Sequence, residues 1–165
     1  MGACIATCLC ALAVSVVSAQ IKETPLTGTW QITEVKGGGP NGKTNNNPQP
    51  GFYMFTGTHF SVMVVASDAP RPDDIPPGPV DESKVTFRQL AAAWASFAAY
   101  GGTYSISGDT MTVQAHISKS PRPMTRKEMI VFSYKVDGDE LTLVPIRDSN
   151  GPMINPATTR LKRIE

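Results

Sequence analysis

Two stretches in the second half of the chain decide its fold: Thr103–Ser118 reads TYSISGDTMTVQAHIS, and Met129–Ile146 reads MIVFSYKVDGDELTLVPI. A short turn sequence interrupts each stretch, Gly108-Asp109 in the first and Asp137-Gly138-Asp139 in the second. Segments rich in Val, Ile, Thr, Tyr and Phe flank both turns, and a short turn between two such segments is typical of a β-hairpin. The sequence therefore predicts four antiparallel strands, at 103–107, 110–118, 129–136 and 140–146.

The rest of the chain adds four more strands. Thr27–Lys36 (TGTWQITEVK) alternates with a period of two, which places Trp30 and Ile32 on one face. Apolar runs at 52–55 and 59–66 are separated by Thr56-Gly57-Thr58, which predicts a third hairpin. The last strand is predicted at 158–164. The turn formers of 37–50 and the prolines of 67–79 predict two long loops.

One helix is predicted between the third and fourth strands, from Asp81 to Tyr100. Asp81 and Ser83 are both suitable N-caps. The following residues are rich in alanine, and Gly101-Gly102 are expected to end the helix. One face of this helix is apolar because its large side chains recur at spacings of three and four residues; they are Phe87, Leu90, Trp94 and Phe97.

Eight sequential antiparallel strands close naturally into a barrel, which removes both sheet edges. The predicted fold class is therefore all-β: an eight-stranded up-and-down antiparallel barrel with one α-helix between strands 3 and 4. Such a barrel has room inside for side chains or for one small ligand. Its expected inward positions are mainly apolar, with these candidates: Phe52, Phe60, Met63, Met111, Val113 and Phe132.

The composition excludes several classes of protein. The chain has 165 residues, 15 basic and 14 acidic side chains and a net charge of +1, which argues against a nucleic-acid partner and against a polybasic membrane-surface segment. The sequence has no phosphate-binding loop, no nucleophile elbow and no His-Glu-x-x-His motif, so no cofactor or metal is predicted.

The first nineteen residues are predicted to be a secretory signal peptide, with the domain at 20–165. They carry no charged side chain and end in Val17-Ser18-Ala19, which resembles a cleavage site. A transmembrane anchor is the alternative, but the apolar run at 4–17 is shorter than the roughly 20 residues that span a bilayer. A lipid-modified cysteine is another alternative. We expect an exported protein, secreted or periplasmic, with no membrane span in the mature chain.

All three cysteines, Cys4, Cys8 and Cys10, lie in that segment. The mature domain would then have no disulfide and no cysteine nucleophile.

An ordered series of motifs resembles the lipocalin-like domain proteins of bacteria and fungi. Gly28-Thr29-Trp30 is similar to the G-x-W opening of lipocalins, and Leu161-Lys162-Arg163 is similar to the closing element in which an Arg packs over that Trp. Between them lie GFYMFTGTHFSV at 51–62, FAAYGGTY at 97–104 and VQAH at 113–116. The resemblance implies a lipocalin-like barrel over the whole of 26–165. We expect Arg163 to stack on the Trp30 ring; Arg160 is the competing candidate.

Five residues are candidates for binding a small hydrophobic ligand: Trp94, Phe97, Tyr100, Tyr104 and His116. The helix stripe that contains Trp94 and Phe97 would cover an apolar cavity, or it would simply pack on the barrel. The two tyrosines would offer hydroxyls, or they would serve as amphipathic packing residues at a barrel mouth.

His116 matches the family's histidine, but no spacing motif links it to His59, the other histidine of the chain. One buried and one exposed histidine is the simpler expectation. The basic residues of Ser120–Lys127 are expected in a solvated loop; the alternative is that they bind a carboxylate at the cavity mouth.

Three functions remain open from the sequence. The first is an exported barrel that binds a small hydrophobic molecule. The second is a barrel enzyme, an isomerase, cyclase or hydrolase acting on an apolar substrate. The third is a structural or interaction protein whose barrel is filled by its own side chains. A cavity in the barrel would favour the first over the third, and a buried His116 beside a carboxylate or tyrosine would favour the second.

Overall fold

A computed structural model describes residues 23–71, 81 and 83–165 of the chain. The predicted signal peptide and the three cysteines lie outside the described residues. Ten strands and two helices are described in the following order: β1 (Gly28–Lys36), β2 (Thr44–Asn45), β3 (Gly51–Phe55), β4 (His59–Val65), α1 (Phe87–Ala95), β5 (Phe97–Ser107), β6 (Thr110–Ser118), α2 (Pro121–Thr125), β7 (Met129–Asp137), β8 (Glu140–Asp148), β9 (Gly151–Pro152) and β10 (Thr158–Arg163).

The long strands close into a barrel. β3 to β8 pair in chain order, β1 pairs with β3, and β10 pairs with both β1 and β8. The two-residue strands β2 and β9 only extend this sheet, alongside β1 and β8. The predicted eight-stranded up-and-down antiparallel barrel is confirmed. In the described part of the chain, no helix is long and apolar enough to cross a membrane.

The core fills one end of the barrel, which we call the closed end. At this end β1, β4, β6 and β8 begin and the other long strands finish. Its side chains are almost completely removed from water, which makes their burial the main stabilising contribution to the fold; they include Leu26, Trp30, Phe55, Phe60, Tyr104, Met111, Leu141 and Leu161.

Trp30 lies at the centre of the closed end and is fully buried. Its indole Nε1 donates a hydrogen bond to the Leu26 carbonyl at 2.7 Å. The Arg163 guanidinium carbon lies 4.0 Å from the centre of the Trp30 ring, so the predicted stacking is confirmed. Arg163 also donates hydrogen bonds to the carbonyls of Thr27 and Pro25, which links the segment just before β1 to the last strand, β10.

The helix is shorter than predicted at both ends. Its N-cap is Thr86 rather than Asp81 or Ser83, and Thr86 and Gln89 form a reciprocal capping box. The predicted last turn, Phe97 to Tyr100, instead begins β5 and pairs with β4. Helix propensity, even that of alanine, is a weak preference, and the backbone pairing of this segment with β4 overrides it.

Gly101 and Gly102 therefore do not end a helix but continue β5. The pairing with β6 shifts register between them. A Cβ on Gly102 would lie 2.0 Å from the Gln114 carbonyl oxygen, so only glycine fits this irregularity.

Three further expectations are corrected. Phe52 and Met63 pair across β3 and β4 and face outward, 37% and 41% exposed, because Tyr53 and Val62 are the inward members of that register. The expected loop at Ser120–Lys127 contains helix α2, with proline in its first turn. The other inward candidates are confirmed: Phe60, Met111 and Val113 are buried, and Phe132 packs against the core.

Replacing Arg163 by alanine should destabilise the protein by about 1–3 kcal/mol, because it removes a cation–π contact and hydrogen bonds to two carbonyls. Arg160→Ala is the matched control, since Arg160 lies on the same strand and, among the described residues, its exposed side chain pairs with Glu34 alone. The control should lose less than about 1 kcal/mol. Urea denaturation of both variants measures the difference, and equal losses would contradict the role assigned to Arg163.

Candidate functional site

The opposite end of the barrel, the open end, contains a cavity of about 260 Å³. Tyr100 pairs with the buried Val62, and Ala115 lies two residues beyond the buried Val113, so both face the interior. The small side chains of Ala98 and Ala115 leave this space unfilled, whereas Leu and Phe side chains fill the interior at the closed end. The cavity wall is completed by Ile130 on β7 and by the rim residues Ser118, Lys119, Ser120, Pro123 and Glu128.

Two tyrosines form the polar part of the interior. Tyr53 on β3 and Tyr100 on β5 lie in one row across the sheet, on either side of Val62. Burial raises the pKa of the Tyr53 hydroxyl, and the neighbouring Tyr100, to which it is hydrogen-bonded, raises it further. Burial also raises the pKa of Tyr100. The pair therefore stays protonated and uncharged at neutral pH.

The same pair separates two cavities of the open end. Tyr100 lines the cavity of about 260 Å³, and Tyr53 lines a second one of about 890 Å³ between the barrel and the loop that precedes β3. Ile32 and Val64 also line this second cavity, although its loop side is polar and asparagine-rich. The apolar part of the open end thus lies around Tyr100.

Helix α1 forms an apolar groove of about 690 Å³ beside the open end. Phe87 is 86% exposed and Trp94 is 61% exposed, so much of the apolar face of the helix is in contact with solvent. Leu90 and Phe97 line the same groove. Phe97 also lines the barrel cavity, so the groove and the cavity are adjacent.

Two cations lie at this junction. The Lys119 ammonium donates a hydrogen bond to the Phe97 carbonyl and lies 4.4 Å from the centre of the Trp94 ring. The Arg71 guanidinium lies 5.3 Å from the centre of the Phe97 ring. Loss of solvation lowers the pKa of Lys119, and the nearby charge of Arg71 lowers it further.

The structure brings together three of the five residues predicted for a ligand site. Tyr100 and Phe97 line the barrel cavity, and Trp94 and Phe97 line the adjoining groove. Tyr104 lies instead in the closed-end core, where its ring packs edge-on against Phe55. Its hydroxyl lies 2.8 Å from the Thr24 hydroxyl and donates to the Thr56 carbonyl, so it is directed away from the cavity.

His116 lies on the outer wall of the barrel. Its Nε2 is 2.9 Å from the Thr103 hydroxyl, and the side chain is exposed. His59 is exposed as well and contacts Thr58 at 2.9 Å, so the expectation of one buried histidine is wrong. Both histidines border a shallow notch outside the barrel, whose floor is Gly101 and Gly102.

Sequence reasoning missed Tyr53, Ala98, Ala115 and Lys119. Tyr53 sits inside a continuous apolar run, GFYMF, in which no alternation shows which side chains face inward. Ala98 was assigned to the helix. Ala115 and Lys119 belong to no motif, so no signal in the sequence identifies them.

Among the described residues, no three His, Cys, Asp or Glu side chains are grouped so that they could hold an ion. The arrangement at the open end is instead an apolar space with a neutral hydroxyl pair inside and cations outside. Such a combination suits binding of a small molecule.

The lipocalin-like domain family model matches residues 27–160, and the chain belongs to this family. The match covers the barrel from the first residue before β1 to the middle of β10. No curated protein matches the chain.

Two solved structures are similar to this chain at low sequence identity. A lipocalin-like protein from Bacteroides uniformis is 13% identical, with 86% of this chain and 100% of that chain covered and a TM-score of 0.47. An uncharacterized protein from Bacteroides eggerthii is 11% identical, with 84% and 98% covered and a TM-score of 0.46.

The tyrosine pair predicts an alkaline instability. Because the pKa of Tyr53 is raised above its ordinary value of 10.0, the unfolded chain ionises first, and stability is lost as the pH rises above about 10. Tyr53→Phe removes this ionisation and should make the loss between pH 9 and 11 shallower. Free energies of unfolding measured across that range for both proteins test this; parallel curves would contradict a buried Tyr53 hydroxyl.

Proposed function

We propose that this protein is an exported binding protein that holds one small hydrophobic molecule at the open end of its barrel. One observation carries the proposal: the two ends of the same barrel are built differently. The closed end is filled by Trp30, Phe55 and Leu161, each at most 3% exposed. The open end is lined by alanines and retains a cavity.

The size and lining of this cavity support a small ligand. Its volume of about 260 Å³ is close to the lower end of the roughly 300–1,000 Å³ of small-molecule sites. Val113, Ala115 and Ile130 supply apolar contacts, and Tyr100 supplies a neutral hydroxyl. The adjoining groove under α1 enlarges the space for a ligand longer than the cavity itself.

Export is proposed on the sequence alone. The apolar segment 1–19 ends in a small-x-small pattern, which is typical of a signal peptide. N-terminal sequencing of the mature protein after expression in its own host tests this part, with cleavage after Ala19 as the expected result. A mature protein that begins at Met1 would contradict it.

The purified protein should bind a neutral apolar fluorescent probe, N-phenyl-1-naphthylamine, with a dissociation constant in the micromolar range, about −8 kcal/mol. Trp94→Ala should weaken this binding several-fold, because Trp94 forms part of the groove next to the cavity. His116→Ala is the control on the outer wall and should leave binding unchanged. Fluorescence titration measures both, and a folded protein that binds no probe would contradict the proposal.

Filling the cavity should abolish probe binding without unfolding the barrel. Ala115→Phe places a large ring in the space between β5 and β7. Ala95→Phe is the matched control, because Ala95 is exposed on α1 and lines neither the cavity nor the groove. Probe titration, with circular dichroism as the check on folding, distinguishes the two; unchanged binding to Ala115→Phe would place the probe elsewhere.

A further inference from the structure

We propose that the ligand is an amphiphile with one anionic head group, such as a medium-chain carboxylate, and that Lys119 and Arg71 bind the head group while the chain occupies the open-end cavity. This inference rests on the proposed function, because it names the chemical class of ligand for the same cavity.

The position of Lys119 is the first argument. Lys119 and Phe97 are the residues that line both the barrel cavity and the groove under α1. Lys119 follows the last residue of β6, and its backbone N–H donates to the Ala99 carbonyl at 2.7 Å, which fixes it beside β5. Its ammonium group therefore lies where a ligand passes from water into the cavity.

The charge balance of the rim is the second argument. Neither Lys119 nor Arg71 forms an ion pair with any acidic side chain that the structure describes, and the ion pairs it contains use other cations. Glu128 is the acidic residue that lines the cavity, and its Oε1 is already paired with the Arg122 Nε at 2.7 Å. Within the described residues, the cavity rim and the adjoining groove thus hold two positive charges, Lys119 and Arg71, that no acidic side chain pairs with.

The hydrogen-bonding capacity of these cations is the third argument. An ammonium group has three donors, and the described contacts of Lys119 use one of them, toward the Phe97 carbonyl. The contacts of Arg71 with described residues use one of its five donors, in a long 3.4 Å hydrogen bond to the Ala93 carbonyl. The remaining donors match a carboxylate, which accepts charge-assisted hydrogen bonds from both groups.

The mutual repulsion of the two cations supports the same conclusion. Partial desolvation and the charge of Arg71 both disfavour the charged form of Lys119. An anion bound between them would offset both effects, and a neutral ligand would offset neither. A cationic amphiphile would add a third positive charge to the rim.

The experiment compares three molecules with the same ten-carbon chain: decanoate, decan-1-ol and decyltrimethylammonium. Each is used below its micelle-forming concentration to displace N-phenyl-1-naphthylamine from the purified protein. We expect decanoate to displace the probe at a concentration at least about tenfold lower than decan-1-ol, and decyltrimethylammonium to be the weakest. Equal potency of decanoate and decan-1-ol, with the probe bound, would overturn this inference and leave the proposed function intact. A protein that binds no probe contradicts both.

Variants then assign the preference to the two cations. Lys119→Gln and Arg71→Gln should each reduce the preference for decanoate over decan-1-ol, and the double variant should bring it within about twofold. Lys119→Arg keeps the charge and should retain most of the preference. Arg88→Gln is the matched control. Arg88 is an exposed cation of α1 that lines neither the cavity nor the groove, and its replacement removes the same net charge. Loss of decan-1-ol and probe binding in Lys119→Gln would overturn the inference, since Lys119 would then shape the cavity itself.

A second arm separates a free amphiphile from a lipid head group in a bilayer. Vesicles of phosphatidylglycerol and of phosphatidylcholine are sedimented with the protein at the ionic strength of the displacement experiment. We expect the protein to remain in the supernatant with both. Pelleting with phosphatidylglycerol that requires Lys119 and Arg71, and that decanoate does not compete, would overturn the inference in favour of a membrane surface.

Discussion

The contact between the Arg163 guanidinium and the Trp30 indole links β1 to β10, the first and last long strands of the barrel. Trp30 and Arg163 are directly opposite each other on β1 and β10, and β10 also pairs with β8. One short strand thus supplies backbone partners to both sides of the sheet, which leaves no long edge unpaired. The cation over the ring also covers the apolar end of the core, where a neutral side chain would leave the carbonyls of Pro25 and Thr27 without these hydrogen bonds.

Because the core is concentrated at the closed end, most of the stability of the barrel does not depend on what fills the open end. Leu141, Leu143 and Leu161 are buried together near Trp30, and their burial stabilises the barrel whatever occupies the other end. The open-end cavity costs the packing contacts that larger side chains at Ala98 and Ala115 would make. A barrel that served only as a scaffold would gain stability by filling that space.

The sequence predicted the strands because they depend on local patterns, turn residues at fixed positions and alternation within β1. The Trp30–Arg163 contact was predicted from the resemblance of Leu161-Lys162-Arg163 to the closing element of lipocalin-like proteins. It did not predict which residues of GFYMF face inward, because a wholly apolar run has no period. It assigned Ala98 and Tyr100 to a helix because their alanine-rich surroundings favour one, whereas the pairing of β5 with β4 and β6 prevails. Lys119 could not be identified at all, since its proximity to Arg71 and Trp94 arises only when β6 reaches the start of β5.

The separation of hydroxyls from charges explains how such a site would orient a ligand. Tyr53 and Tyr100 are partly buried and stay neutral, so this part of the interior offers hydroxyl groups rather than charges. Lys119 and Arg71 lie at the rim, where water still solvates part of each group and the cost of keeping a charge is smaller. A ligand with one charged end would lose most of its solvation energy if that end entered first, and the neutral tyrosine hydroxyls would return only part of it. The cheapest arrangement leaves the charged end between the two cations, and the apolar chain then extends toward Tyr100.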